Sequence, residues 1–258
     1  MKILLNNQWL DEQSAKLSML SDAAMFGVGV FETFRTFKGR KLFLLSDHID
    51  RLLLGATIIG IKVNFSHSAI ASMVERVCHE SEYELQRIKL TAWREGIAIY
   101  SSELQIDLEK YKGITAKSVV QSRSLPEIKS TSYLDCHLSY KKAIDSGFSE
   151  AILIDGQGLV TEGSRSNIFW TDGNHLFTRE SGVLPGITRK ALIQLKQSRV
   201  LFESISLSGL CQKKEVFLCN SILGIVPIIG IDQFQIGSGY PGIQTEQLSQ
   251  LYNEICQK

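Results

Sequence analysis

A chain of 258 residues that is 44% hydrophobic and 21% charged has globular composition, long enough for one large or two modest domains that can each bury a core. The net charge of +1, with basic residues scattered rather than blocked, argues against a nucleic-acid or acidic-membrane partner. Cys78, Cys136, Cys211, Cys219 and Cys256 are odd in number and form no CxxC pair, so reduced thiols are expected, with neither a disulfide framework nor a metal site. The longest apolar run, "ILGIVPIIGI" (222–231), is short and broken by Gly and Pro, and "MKILLNNQWL" has only three consecutive apolar residues. No membrane span or signal-peptide core is expected, and a cytoplasmic location is.

In chain order, Ile3, Leu5 and Trp9 suggest a first strand, and "VGVFETFRTF" (28–37) a longer one. "FKGRK" turns the latter into "KLFLL" (41–45) as a hairpin. Ser46 then reads as an N-cap with Asp47 and Asp50 in the first turn, and Ile49, Leu52, Leu53, Ala56 and Ile59 repeat with helical spacing up to Gly60. Ser66 opens a second helix to about residue 80, and "RIKLTAW" (87–93) returns to strand.

In the second half "KSVVQS" (117–122) is strand-like and "SYLDCHLSYKKAIDSG" (132–147) helical. "EAILID" (150–155), "NIFWT" (167–171) and "HLFT" (175–178) read as short strands joined by turns. "GITRKALIQLKQS" (186–198) is a helix after Pro185, "EVFLCN" (215–220) a strand, and "TEQLSQLYNEICQ" (245–257) a closing helix. Helices segregated from strands predict an α+β fold. The expected limits are a smaller N-terminal domain at 1–115, a linker region at 116–126 and a larger C-terminal domain at 127–258.

Five features carry chemical potential. Lys129, in "EIKSTSYL", reads as a solvated lysine or as an amine that attacks a carbonyl and later shuttles a proton. Glu162 sits in "LVTEGSRSNIFW", whose glycine and hydroxyls suggest a phosphate cradle in which an acid is out of place. "SGVLPGITRKAL" begins a helix at which the N–H groups of Ile187 and Thr188 would favour an anion, or which is simple helix initiation. Asn220 and Ser221 end a strand as ligand donors or as a polar turn. Arg51 is either a solvated flank residue or a phosphate fork.

The order of these pieces resembles the class IV aminotransferase family, the fold-type IV pyridoxal-phosphate enzymes. The resemblance runs through "FGVGVFETFR", "LLSDHIDRLLLGATIIGI", "IKSTSYL", "EAILIDGQGLVTEGSRSNIFW", "SGVLPGITR" and "CNSILGIVPI". It implies two α+β domains with pyridoxal 5'-phosphate in the cleft between them, in a homodimer acting on a small molecule. It assigns Lys129 as the covalent holder and proton shuttle of the cofactor, Glu162 as partner of the pyridine nitrogen, and Tyr133 as neighbour of the phenolic oxygen. Arg51, Ile187, Thr188 and Ser221 become the phosphate cup.

Three departures from the family pattern stand in this chain: Val28 between the glycines of "FGVG" where Asp is usual, Ala23 after Asp22 where Arg is usual, and Ser132 where Asn is usual.

The short chain, "CNSILGIVPI" and Thr33 in "FETFR" tilt the implied reaction toward conversion of 4-amino-4-deoxychorismate to 4-aminobenzoate and pyruvate, a step of folate biosynthesis. There Thr33 would relay a proton, unless it merely suits a strand, and Arg35 is assigned to substrate carboxylate on residue type alone. Branched-chain or D-amino-acid aminotransfer is the alternative, since "LPGITR" is widespread in transaminases. "WREGIAIYSSELQI" (93–106), which matches none of these closely, lies where substrate loops are expected.

Overall fold

The structure, a computed structural model, describes residues 1–196 and 200–257. The chain divides into two compact units: one of Met1–Gln105, Ile128–Tyr133 and Gln257, the other of Ile106–Glu127 with Leu134–Cys256. Both mix helices with sheet.

The first unit is built on six strands, all antiparallel, in the order Gln8–Asp11, Lys2–Leu5, Gly96–Glu103, Gln86–Trp93, Val30–Phe37, Lys41–Leu42. Alternation along Val30–Phe37 and Gln86–Trp93 sends Val30, Phe34, Ile88 and Leu90 to one face. Helices Leu45–Ile58 and His67–Glu80 cover that face, where Ile49, Leu52, Ala56, Ile70 and Val74 complete the core. The segment Ile128–Tyr133 is stitched to the start of the central strand. The Phe31 N–H donates to the Lys129 carbonyl and the Thr131 N–H to that of Gly29, each at 2.9 Å.

Three expectations in this unit need correction. Ser46 is not an N-cap: the helix begins at Leu45 after Leu44, which takes a left-handed conformation (φ 53°), and no side chain caps it. The Ser46 hydroxyl meets His67 Nε2 at 3.2 Å instead. The strand after the hairpin is only Lys41–Leu42, because Leu45 is already helical. Most of "WREGIAIYSSELQI" is not a loop but the strand Gly96–Glu103, in continuous register with Gln86–Trp93 from Trp93↔Gly96 to Gln86↔Glu103.

In the second unit the strand order is Val200–Phe202, Leu176–Thr178, Asn167–Thr171, Glu215–Asn220, Gly224–Ile231, Ile114–Val120, Glu150–Ile154, Val160–Gly163, with Phe234–Gln235 paired to Gly224–Ile231. Ile114–Val120 is an interior strand, parallel to both neighbours, and the expected linker 116–126 overlaps it. Asn167–Thr171 and Glu150–Ile154 are buried at every position, which explains their short unbroken apolar runs. Trp170, Ile152, Ile168, Val216 and Ile228 form the core here. Helix Leu134–Asp145 packs Ala143 against Val119 and Ala151. Helix Ile187–Leu195 ends before the expected limit, and positions 197–198 of that expectation lie outside the described residues.

The capping assignments are separable by mutation. Ser66 caps its helix by accepting from the Ala69 N–H at 3.2 Å. Ser66→Ala should cost about 1 kcal/mol in urea unfolding, whereas Ser46→Ala should stay within about 0.5 kcal/mol. Equal losses would contradict the helix start at Leu45.

Candidate active site

In the first unit the two faces of Val30–Phe37 carry different chemistry. Glu32 shares the core face with Val30 and Phe34 and is fully buried at 0% exposure. A carboxylate there must be paired and hydrogen-bonded. His48 and Arg51, three residues apart on helix Leu45–Ile58, reach it together. Arg51 donates from Nε to Oε1 at 2.7 Å and from Nη2 to Oε2 at 2.6 Å, and His48 Nδ1 lies 2.7 Å from Oε2. Burial pushes the Glu32 carboxyl up, but the Arg51 charge and the His48 hydrogen bond overcome it and hold the pKa at about 2. An ionised Glu32 only accepts, so His48 Nδ1 carries the proton and donates. Burial lowers the His48 pKa against the Glu32 hydrogen bond, and the charges of Arg51 and Lys129 add to the lowering, so the ring is neutral.

The opposite face presents Phe31, Thr33 and Arg35. Lys129 Nζ stands 4.8 Å from the Phe31 ring centroid and Lys89 Nζ 4.6 Å from it, with the Tyr133 ring edge-on to Phe31 at 5.5 Å. Thr33 faces Lys89 across the strand pair, and Arg35 faces Arg87. Arg35 is only 8% exposed and lies over Phe37 at 4.4 Å. Like charges directly opposite one another destabilise a sheet, yet among the described residues no carboxylate forms an ion pair with Arg35, Arg87 or Lys89. Burial, then the Arg87 charge, lowers the pKa of Lys89. The expected residues Lys129, Thr33, Tyr133 and Arg35 thus share one face. Arg51 does not; its fork engages Glu32 on the other.

In the second unit Glu162 sits on Val160–Gly163 with 4% exposure. Arg123 Nη1 donates to Oε1 at 2.6 Å, the Leu184 N–H to Oε2 at 3.0 Å and Asn167 Nδ2 to Oε2 at 3.3 Å. A cavity of about 180 Å³, lined by Glu162, Arg123, Thr161, Asp155 and Arg179, lies beside this carboxylate. Much of the serine-rich turn after it is spent on its own scaffold. Ser164 Oγ donates to the buried Glu150 carboxylate, its N–H to the Ala151 carbonyl at 2.9 Å, and the Gly163 N–H to the Ser166 carbonyl at 2.7 Å. Burial raises the Glu150 pKa. The Ser166 hydroxyl, by contrast, is buried without a hydrogen-bond partner.

The start of Ile187–Leu195 in this unit carries backbone donors without a side-chain cap. Gly186 occupies the N-cap and no side chain caps the helix, so its first N–H groups and its dipole favour a negative partner. The Thr188 hydroxyl is 3.2 Å from the Tyr252 hydroxyl on the closing helix Ile243–Gln257. The Tyr252 ring also abuts Gly224 (φ 70°), where a Cβ would come within 3.2 Å of it. Asn220 is a turn former here: its Oδ1 accepts from the Ile222 and Leu223 N–H groups at 3.0 and 2.8 Å, which fixes the turn that holds Ser221. Tyr111 clamps the same turn by donating to the Leu223 carbonyl at 2.7 Å.

Sequence reasoning missed Glu32, His48, Arg123, Asn167, Tyr252, Arg87 and Lys89. One signal was available: an acid on the core face of a strand demands a cation, and His48 and Arg51 share a helix face. Among the described residues, no group of three or more His, Cys, Asp or Glu is placed to hold a metal ion, and no helix is long and apolar enough to cross a membrane.

Comparisons with known proteins converge on these residues' family. The sequence model of "Amino-transferase class IV" matches residues 29–231. A probable branched-chain-amino-acid aminotransferase of Aquifex aeolicus is 30% identical, with 93% of this chain and 87% of that protein aligned. An aminodeoxychorismate lyase of Bacillus subtilis is 27% identical over 98% of this chain and 94% of its own. Among solved structures, a branched-chain aminotransferase of Thermoproteus uzoniensis with norvaline superposes with a TM-score of 0.92 at 28% identity, covering 99% of this chain and 94% of that one.

The Glu32 cluster predicts the acid response of the apoprotein. His48 is neutral when folded, so unfolded chains take up a proton it refuses, and stability should fall as pH drops below 6.5. Glu32 adds a second loss between 4.5, its ordinary value, and about 2. Thermal melts from pH 8 downward test this, and His48→Phe should flatten the first decline. Glu32→Gln, which strands Arg51, should cost about 3–5 kcal/mol at pH 7 by urea unfolding.

Proposed function

The chain belongs to the class IV aminotransferase family, a pyridoxal-phosphate-dependent family, and we propose that it converts 4-amino-4-deoxychorismate to 4-aminobenzoate and pyruvate, as a cytoplasmic homodimer. The residues present suit the cofactor: an uncapped helix start for a dianionic phosphate, a buried carboxylate held by three donors for a ring nitrogen, and an amine for an aldehyde. Lys129 would hold the aldehyde carbon, Glu162 the nitrogen and Tyr133 the phenolic side. The N–H groups of Ile187 and Thr188, with Ser221, would hold the phosphate; Arg51, expected with them, has its fork on Glu32. When bound, pyridoxal phosphate supplies a conjugated electron sink that makes the proton on the aminated carbon acidic.

The observation that carries the choice of reaction is the face shared by Lys129 and Thr33. It holds Arg35, Arg87 and Lys89, with which no acid among the described residues forms an ion pair. A substrate with two carboxylates and no net apolar chain suits that face; a branched-chain amino acid, with one carboxylate and an aliphatic body, does not. The Lys129 amine would serve as the base that takes the proton from the aminated ring carbon. The carbon–oxygen bond to the pyruvyl ether breaks, enolpyruvate leaves, and the ring becomes aromatic. Thr33, one position along the strand from Glu32 and opposite Lys89, would relay the proton that Lys129 has taken up toward the departing enolpyruvate through its half-buried hydroxyl. Aromatisation makes the step irreversible, so substrate positioning rather than a second half-reaction governs turnover.

Aminotransfer is the second reading, favoured by the Aquifex aeolicus relative. It uses the same lysine and carboxylate, and differs in where the proton is returned.

Purified protein should release 4-aminobenzoate and pyruvate in equal amounts from aminodeoxychorismate, with no amino-group exchange between an amino acid and a 2-oxo acid. Exchange without aromatic product rejects the lyase reading. Arg87→Met and Lys89→Met should each raise KM for aminodeoxychorismate about 10- to 100-fold, the loss expected for one charge-assisted hydrogen bond. Thr33→Val should lower kcat with little change in KM.

A further inference from the structure

Asn167 stands where three parts of the second unit meet. It opens the strand Asn167–Thr171 directly opposite Cys219, one residue before Asn220 and Ser221. It is 5% exposed. Its Nδ2 donates both to the Leu184 carbonyl at 2.8 Å and to Glu162 Oε2 at 3.3 Å. The Leu184 N–H returns to the same Oε2 at 3.0 Å. Asn167, Leu184 and Glu162 therefore close a ring of hydrogen bonds.

The Leu184 carbonyl also accepts from the Gly186 N–H at 2.8 Å, which sets the entry to helix Ile187–Leu195. Gly186 is in turn shaped around Asn167: a Cβ on residue 186 would lie 1.9 Å from Asn167 Oδ1. The approach is closer than any side chain tolerates, and φ at Gly186 is −64°, so glycine is required by Asn167 and not by backbone conformation. Arg189 fixes the far end of this strap by donating to the Arg179 carbonyl at 2.5 Å. One amide thus touches the carboxylate assigned to the ring nitrogen and the backbone that aims the helix end assigned to the phosphate.

We propose that Asn167 is a positioning residue that couples these two ends of the cofactor site, so that disturbing it weakens ring-nitrogen and phosphate recognition together. The inference rests on the assignment of Glu162 and the helix start given above. A carboxylate alone on a strand has rotational freedom about its side-chain torsions. Two donors on one oxygen, one of them from the strap that carries the helix, remove that freedom and transmit any displacement of the strap to the carboxylate.

The test uses the apoprotein and two probes, pyridoxal phosphate and inorganic phosphate, with affinities from calorimetry. Asn167→Ala should weaken both about tenfold, one charge-assisted hydrogen bond's worth. Glu162→Gln should weaken pyridoxal phosphate and leave inorganic phosphate unchanged. In the loaded protein, Asn167→Ala should also shift the pH dependence of the cofactor's visible absorbance, which a purely structural residue would not move. Gly186→Ala should weaken inorganic phosphate in the wild-type background and be tolerated in the Asn167→Ala background, where the clashing amide is gone. A folded Asn167→Ala protein with wild-type affinity for both probes overturns the coupling. So does a Gly186→Ala penalty that is the same in both backgrounds. If Asn167→Ala does not fold, wild-type phosphate affinity in Gly186→Ala alone is enough to overturn it. If Glu162→Gln retains wild-type affinity for pyridoxal phosphate, the assignment of Glu162 fails instead, and the two failures are distinct.

Discussion

A carboxylate removed from water must be held by donors, and Glu162 is held by an arginine, a backbone N–H and an amide drawn from three separate stretches of the second unit. The rest of that unit can be read outward from this requirement. Arg123 enters after the strand Ile114–Val120, Leu184 sits on the strap before the helix Ile187–Leu195, and Asn167 starts the neighbouring strand. The same constraint recurs in the first unit, where Glu32 gathers Arg51 and His48 onto one point of the helix Leu45–Ile58. Each unit holds a buried acid whose partners come from other elements of that unit.

The two acids serve different ends. Glu32 is fully satisfied inside its own unit, and its main consequence is structural: it fixes the Arg51 fork and the face that helix Leu45–Ile58 turns to the sheet. Glu162 borders a cavity lined also by Arg123, Thr161, Asp155 and Arg179. In the proposed role it would offer the remaining electron density to a protonated ring nitrogen. Arg123 works against full ionic strength at that contact, since a carboxylate shared with a guanidinium is a weaker base than a solitary one. The proposed sink is therefore tuned by a residue with no direct part in the reaction.

Much of the fold was legible in the sequence. The strands Val30–Phe37, Gln86–Trp93 and Glu215–Asn220 and the helix after Ser66 follow from period and capping. Gly96–Glu103 was not legible, because "GIAIYSSE" mixes small and polar residues whose strand character comes from pairing with Gln86–Trp93 rather than from its own pattern. Ser46 was misread because a left-handed Leu44 starts the helix early, a conformation no leucine advertises. In the site, Lys129 and Glu162 stood out through family resemblance. Arg87 and Lys89 became visible only when register put them opposite Arg35 and Thr33, and Asn167 only when the strap folded back onto it. Side chains that act through cross-strand or loop contacts leave no local signature.

The central claim is that Glu162 meets the cofactor's ring nitrogen. Its most direct test is the nitrogen NMR shift of the pyridine ring in protein loaded with isotopically labelled pyridoxal phosphate, recorded from pH 6 to 9 for the wild type and Glu162→Gln. A protonated-nitrogen shift that holds across the range in the wild type and is lost in Glu162→Gln is the predicted result. An unprotonated shift in the wild type, or identical shifts in the two proteins, would contradict the account.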